Sequence, residues 1–385
     1  MEQQTININS EFDGGNIRCL KSENFDDIQL EIEIDNQSDF YQWFYFRSTG
    51  VASQDCSYKI NNAGNAAYTD GWDGYNAVAS YDRKFWFRVP TKYENGVLTI
   101  DHCSEFNSVY YAYFAPYTME QHADFIASTL EHPLVQLNIL GQSIDGQDID
   151  QLIITSVDDS LESRANKKKI WIQGRQHPGE TQASWWAEGF VSRLLDYSDA
   201  VSQALLQKAV FYIIPNINPD GSKRGHLRTN AVGSNLNREW LTPTMEKSPE
   251  VYLAKKMMEE IDIDMCFDVH GDEGLPYNFI AGAEGTKAWS DKKAKWQSDF
   301  LTRLELVNPD FQTKVGYPID KPNTADMTIC TNYISEAFDC LSMTLEMPFK
   351  DTVETPNELE GWSPERCQNL GASCLDAMLS VVDDL

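Results

Sequence analysis

The chain has 385 residues, 42% of them hydrophobic and 12% aromatic, which is ample for burial and longer than one typical single-core domain. Its 59 acidic residues outweigh 31 basic ones, for a formal charge of -28. Such a surface excludes broad attraction to phosphate backbones or anionic membranes, so neither a nucleic acid nor a membrane is expected as a partner.

The N-terminal stretch MEQQTININSEFDGG is polar and acidic, without the positive region and apolar run of a secretory leader. No segment approaches the roughly 20 consecutive apolar residues of a membrane span. Up to about Pro116 the chain reads as short strands: Ile28 to Ile34 alternates, and Gln42–Ser48 and Arg83–Val89 are aromatic-rich. Gly/Asn/Asp clusters at 61–65 and 70–76 punctuate them, which predicts an all-β antiparallel sandwich over residues 1–118.

From Met119 the pattern changes. Thr118 can cap a helix that ends before Pro133. Strands are then expected at Leu152–Thr155, Lys169–Gln173, Ala209–Pro215, Met265–Val269 and Leu341–Met347, with amphipathic helices at Thr181–Leu195, Pro249–Ile261, Ala288–Leu306 and Pro364–Val382. Apolar strands separated by such helices predict an α/β unit over residues 119–385, a mostly parallel mixed sheet flanked by helices. The eight cysteines include no CxxC pair and read as reduced, mostly buried thiols of a cytoplasmic protein.

Chemically suggestive residues gather at the carboxyl ends of these strands: His177 and Glu180, Asn216–Asp220, His270 and Glu346. In open α/β sheets that edge forms the ligand crevice. His177 and Glu180, three apart, are expected on one face of a helix's first turn, where both can grip one ion. A strand-terminal His270 completes three ligands, the set that leaves a catalytic zinc one open position, although the donor types also admit other first-row metals. His102, His122, His132 and His226 lack such a setting, His226 least clearly.

HPGETQASWW, NPDGSKRGHLRTN, NLNREW, DVHG and TLEMPF, in this order and spacing, resemble the zinc metallocarboxypeptidases, in particular the cytosolic carboxypeptidase-like subgroup. The segments YQWFYFRS, SYDRKFWFRVP and YYAYFAPYTMEQH look like the β-domain that precedes the catalytic domain there. The resemblance covers nearly the whole chain. It implies one zinc per chain on His177, Glu180 and His270, with Glu346 as the general base and then acid toward a zinc-activated water. It also implies Arg228 on the scissile carbonyl, and Asn237 and Arg238 on the free carboxylate of a peptide or protein C-terminal tail, the expected substrate.

Three features depart from the family pattern. Asn235 stands where an aspartate often supports the first zinc histidine; its amide can still orient His177 but adds less basicity. A substrate-capping tyrosine is not assigned, Tyr333 and Tyr317 being candidates. The stretch Thr324–Phe349, with Thr331 and Asn332 at the expected pocket floor, holds no lysine or arginine, which argues against glutamate preference, while Lys223 and Arg224 beside Arg228 argue for it. Two alternatives stay open: a zinc-dependent deacylase of N-acyl amino acids, and a catalytically silent protein that binds acidic tails. The sequence does not set an oligomeric state.

Overall fold

The computed structural model describes residues 5–156 and 166–385. The first four residues, part of the stretch read for a leader, lie outside the described residues.

Among the described residues the N-terminal part holds ten strands, β1 (Asn7–Asn9), β2 (Arg18–Lys21), β3 (Ile28–Glu31), β4 (Tyr45–Thr49), β5 (Asp55–Ile60), β6 (Val78–Ser80), β7 (Phe87–Arg88), β8 (Thr91–Glu94), β9 (Val97–Cys103) and β10 (Ser108–Ala112). They form two five-stranded sheets, β1-β4-β10-β6-β7 and β2-β3-β5-β9-β8. All pairings are antiparallel except β3 with β5. Alternation along β5 turns Cys56, Tyr58 and Ile60 inward, as a half-buried strand requires. Between the sheets Tyr58 meets Phe46 and Tyr111 with ring centroids 5.8 and 4.7 Å apart, tilted contacts that add to their area burial.

Helix α1 (Met119–Thr129) opens with a capping box in which the Thr118 hydroxyl accepts from Gln121 N and the Gln121 side chain accepts from Thr118 N, so two otherwise orphaned donors are satisfied. Next come β11 (Val135–Gln142), β12 (Asp148–Ile154) and β13 (Lys168–Gly174), followed by α2 (Gln182–Leu194), α3 (Ala200–Lys208), β14 (Ala209–Ile214) and α4 (Pro219–Arg224). The remainder is α5 (Pro249–Ile261), β15 (Met265–Asp272), β16 (Phe279–Ala281), α6 (Asp291–Val307), α7 (Cys330–Phe338), β17 (Leu341–Pro348) and α8 (Pro364–Val381). The seven strands are ordered β11-β12-β14-β13-β15-β17-β16. β14, β13, β15 and β17 are mutually parallel, and both edges are antiparallel.

The central strands are buried along most of their length and read as largely apolar runs, which is why they were legible. The edge strands β11 and β16 and the helices α3, α4 and α7 were not anticipated. β11 leaves Leu137 and Ile139 exposed, so its pattern lacks a clean inward face. Helices α2 and α8 cross where Gly189 and Gly371 let their backbones touch: a Cβ at Gly189 would lie 2.0 Å from Gln368 O, and one at Gly371 2.2 Å from Trp186 O.

Candidate active site

The HPGE segment begins three residues past β13. His177 and Glu180 do not lie on a helical turn as expected; they bracket a tight turn before α2, closed by Glu180 N donating to His177 O at 3.2 Å. Two constraints shape that turn. Gly179 N donates to Leu227 O at 2.8 Å, and a Cβ there would fall 2.9 Å from the same oxygen, so only glycine permits this approach. The buried Arg175 guanidinium donates twice to Pro178 O, at 2.6 and 3.1 Å, and once to Tyr117 O at 2.8 Å.

His270, on β15, meets this turn. His177 Nδ1 lies 2.7 Å from one Glu180 oxygen and His270 Nδ1 2.8 Å from the other. One donor atom from each of the three lies within 4.8 Å of the others, all buried. The far nitrogens are engaged as well: His177 Nε2 donates to Asn235 Oδ1 at 3.1 Å and His270 Nε2 to Asp268 Oδ2 at 2.9 Å. Two imidazoles with their Nε2 atoms held and their Nδ1 atoms converging beside a carboxylate fit a tetrahedral zinc with an open position.

Electrostatics separates the two histidines. Burial and the nearby Arg228 push His177 down to about 4. Burial also pushes His270 down, but Asp268 and Glu180 outweigh it and hold the ring well above the ordinary histidine value. Burial pushes Glu180 upward, and the two histidines outweigh that to hold it far below the usual carboxylate range.

His177 and Glu180 open on a cleft of about 990 Å³. Glu346 lies on β17 opposite His270 in the ladder. Its Oε1 accepts from the Tyr317 hydroxyl at 3.3 Å, and its Oε2 is buried without a hydrogen-bond partner. Burial pushes Glu346 well above its ordinary value, and Glu180, Asp272 and Glu273 add to this against the opposing His270. Asn237 Oδ1 accepts from Cys330 N at 2.8 Å, which leaves its amide N–H₂ as a donor toward the cleft. Arg238 stands beside it on the rim, its Nη1 donating to Asn237 O at 2.6 Å. Arg228 is half-buried, its Nε without a partner and its guanidinium carbon 5.5 Å from the ring centroids of both Phe40 and Tyr68.

All seven residues singled out in the sequence therefore gather at one place. Tyr317 lines the cleft and also donates to Asp272 at 2.6 Å, whereas Tyr333 packs under Lys255 Nζ, 4.0 Å from its ring centroid. Thr331 and Asn332 are in the wall, with Thr331 and Thr344 hydroxyls 2.5 Å apart. Lys223 and Arg224 are outside the lining, and Arg224 is paired with Asp145 at 2.8 Å. His226 is a structural peg, its ring contacting Asn36 Oδ1 at 2.7 Å and Thr229 O at 3.0 Å. Sequence reasoning missed Arg175, Asp268 and Glu273; for Asp268 the signal was present, two residues before His270 on the same strand and hence on the same face.

Comparison with known proteins agrees with this geometry. The profile of the cytosolic carboxypeptidase N-terminal domain matches residues 8–114, and that of zinc carboxypeptidase matches residues 120–274. The crystal structure of a metallo-carboxypeptidase from Burkholderia cenocepacia is 44% identical, with a TM-score of 0.95 over 99% of this chain and 100% of that one. A metallo-carboxypeptidase from Pseudomonas aeruginosa, solved with (2-guanidinoethylmercapto)succinic acid, is 38% identical, with a TM-score of 0.94 over 98% and 99% of the two chains. Cytosolic carboxypeptidase 1 of Xenopus laevis is 27% identical over 365 residues, 82% of this chain but 28% of that protein. The chain belongs to the zinc carboxypeptidase family, whose members are exopeptidases of the hydrolase class. Among the described residues no helix is long and apolar enough to cross a membrane.

Proposed function

We propose that this protein removes C-terminal residues from peptides or protein tails, with residues 1–118 and 119–385 as its two domains and one zinc held by His177, Glu180 and His270. The observation that carries the reading is the buried, partnerless Oε2 of Glu346 in the same cleft as the His-Glu-His cluster. A buried carboxylate with one oxygen unengaged is suited to proton transfer. When bound, zinc would supply Lewis acidity and lower the pKa of a coordinated water.

The chain's own groups divide the remaining work. Glu346 takes a proton from the attacking water and returns it to the leaving amine. Its raised pKa makes it the stronger base for the first half of that cycle, and the Tyr317 hydrogen bond, which stabilises the carboxylate, favours release of the proton in the second. Arg228, with a free Nε, offers a fixed cation where negative charge develops on the carbonyl oxygen. Asn237 Nδ2 and Arg238 would bind the terminal carboxylate, which makes removal from the end the only productive mode. The amide oxygen of Asn235 orients His177, as the Asp268 carboxylate orients His270.

The cleft also bears on what residue is removed. Its lining includes Asp70, Asp272, Glu273 and Glu284, and its basic residues besides Arg228 and Arg238 reduce to Lys314, an exposed side chain near Glu354. This composition speaks against a glutamate-selective pocket.

Glu346→Gln is the decisive variant. It should lower hydrolysis of an N-blocked dipeptide by about a thousandfold while zinc content and peptide binding persist, in keeping with general acid–base contributions. Faster cleavage of an N-acetyl amino acid than of the blocked dipeptide would instead identify a deacylase. Absence of hydrolysis by the zinc-loaded wild type across C-terminal residue types would identify a binding protein.

A further inference from the structure

The loop that carries Arg228 is gripped from the other domain. Residues 226–230 lie outside helix and strand, so no ladder fixes their backbone and their N–H groups must find other acceptors. Asp35, 2% exposed and four residues beyond β3, provides them. Its Oδ1 accepts from Leu227 N at 2.7 Å, and its Oδ2 accepts from Arg228 N at 2.8 Å, Thr229 N at 2.9 Å and the Thr229 hydroxyl at 3.0 Å. One carboxylate thus takes four donors from three consecutive residues.

Neighbouring contacts reinforce that grip. Asn16 Nδ2 donates to Gly225 O at 2.8 Å, and Asn36 engages His226. Gly233, at φ +80, passes so close to the N-terminal domain that a Cβ would lie 2.3 Å from Gln37 O. The guanidinium itself has Phe40 and Tyr68 as its aromatic neighbours, both from residues before the first helix. Planar cation–aromatic contact restricts where the fork can point. The same carboxylate reaches the metal turn at one remove, because Leu227 O accepts from Gly179 N.

We propose that Asp35 is a positioning residue for hydrolysis: by holding the Leu227–Thr229 backbone it sets the Arg228 guanidinium where the carbonyl oxygen gains charge, which makes the β-domain a working half of the active site. This rests on the role given to Arg228 above. The four donors come from Arg228 and its two neighbours, and Arg228 is the residue of this loop that lines the cleft. Misplacing a reacting group by an ångström is enough to cost about a hundredfold.

The test is a double-mutant cycle on the zinc-saturated full-length protein, with the best N-blocked dipeptide as substrate. Asp35→Asn keeps the shape but turns one acceptor into a donor facing the loop N–H groups. It should lower kcat by about tenfold or more with KM changed far less, and Arg228→Ala should lower kcat by about a hundredfold or more. Beside Arg228→Ala, Asp35→Asn should cost nothing further, since groups acting as one unit are non-additive. If Arg228→Ala leaves kcat intact, the role of Arg228 falls and this proposal with it. If Arg228→Ala is severe but Asp35→Asn is silent, or its loss persists in full beside Arg228→Ala, positioning alone is overturned. Should Asp35→Asn not fold, Thr229→Val removes one of the four donors at constant shape: a kcat loss of about threefold that vanishes beside Arg228→Ala supports the proposal, and one that persists, or no loss, overturns it.

Discussion

His270 donates from Nε2 to Asp268 Oδ2 at 2.9 Å, two residues back along one strand, in a contact wholly buried. Asp268 in turn accepts from Gln176 Nε2 at 2.6 Å and from Gln173 Nε2 at 3.3 Å, so its carboxylate is fixed before it fixes the imidazole. His177 Nε2 has only the amide oxygen of Asn235, shared with Asn237 N. The two histidines are therefore supported unequally, by a charge on one side and a dipole on the other.

That inequality sets an order among variants. Asp268→Asn should weaken zinc by about tenfold or more, within the range for carboxylates behind metal-bound histidines. Asn235→Ala should cost less, and Asn235→Asp should tighten binding. Competition against a chromophoric chelator reads all three, and a larger loss from Asn235→Ala than from Asp268→Asn would contradict the assignment.

Metal uptake should be coupled to pH chiefly through His270. Burial opposes its charge, but Asp268 and Glu180 hold its pKa well above the ordinary value, so the metal-free ring carries a proton near neutrality. His177, pushed down to about 4, is already neutral there. Zinc requires the unprotonated imidazole, so affinity rises with pH and binding near pH 7 releases about one proton from His270. The same raised pKa means that its contribution to the stability of the metal-free protein is full below the unfolded value of about 6.5 and fades as pH climbs through the folded value. Calorimetry in buffers of different ionisation enthalpy measures the released proton, and Asp268→Asn should diminish it; a pH-independent affinity would refute the coupling.

Substrate choice should follow the cleft wall. Glu284, held by Gln297 Nε2 at 2.6 Å, and the other lining carboxylates predict that, among matched peptides ending in Glu, Phe or Lys, the Glu peptide is slowest by about tenfold, because like charges brought together in a cleft are costly. Glu284→Gln should narrow the gap. Fastest release of glutamate would show that Arg228, Arg238 and Lys314 dominate the field instead.

Much of this site was legible in the chain because its signals are local. A histidine and glutamate three apart after an apolar strand, a histidine ending another strand and a glutamate inside a third report the carboxyl edge of a buried parallel sheet, where continuous apolar runs give the strands away. Helix α5 coincides with its expected span, bounded by Pro249 at its start and recognisable by its 3.6-residue periodicity. The capping box at Thr118 is equally local.

What the tertiary structure decided is the set of relationships between distant, individually unremarkable residues. Asp35 and Arg228 are 193 positions apart, and nothing near Asp35 distinguishes it from the chain's other acidic side chains. Tyr317 and Tyr333 look alike in sequence, yet a loop carries one hydroxyl to Glu346 while a helix stacks the other on a lysine. Lys223 and Arg224, a few residues before Arg228, stand outside the cleft it lines, because their helix ends at the left-handed Gly225 and Arg228 follows in a separate loop held by Asp35. Residue types and spacing pointed to the reaction; which carboxylate holds which loop, and which tyrosine reaches Glu346, depended on packing between segments far apart in the chain.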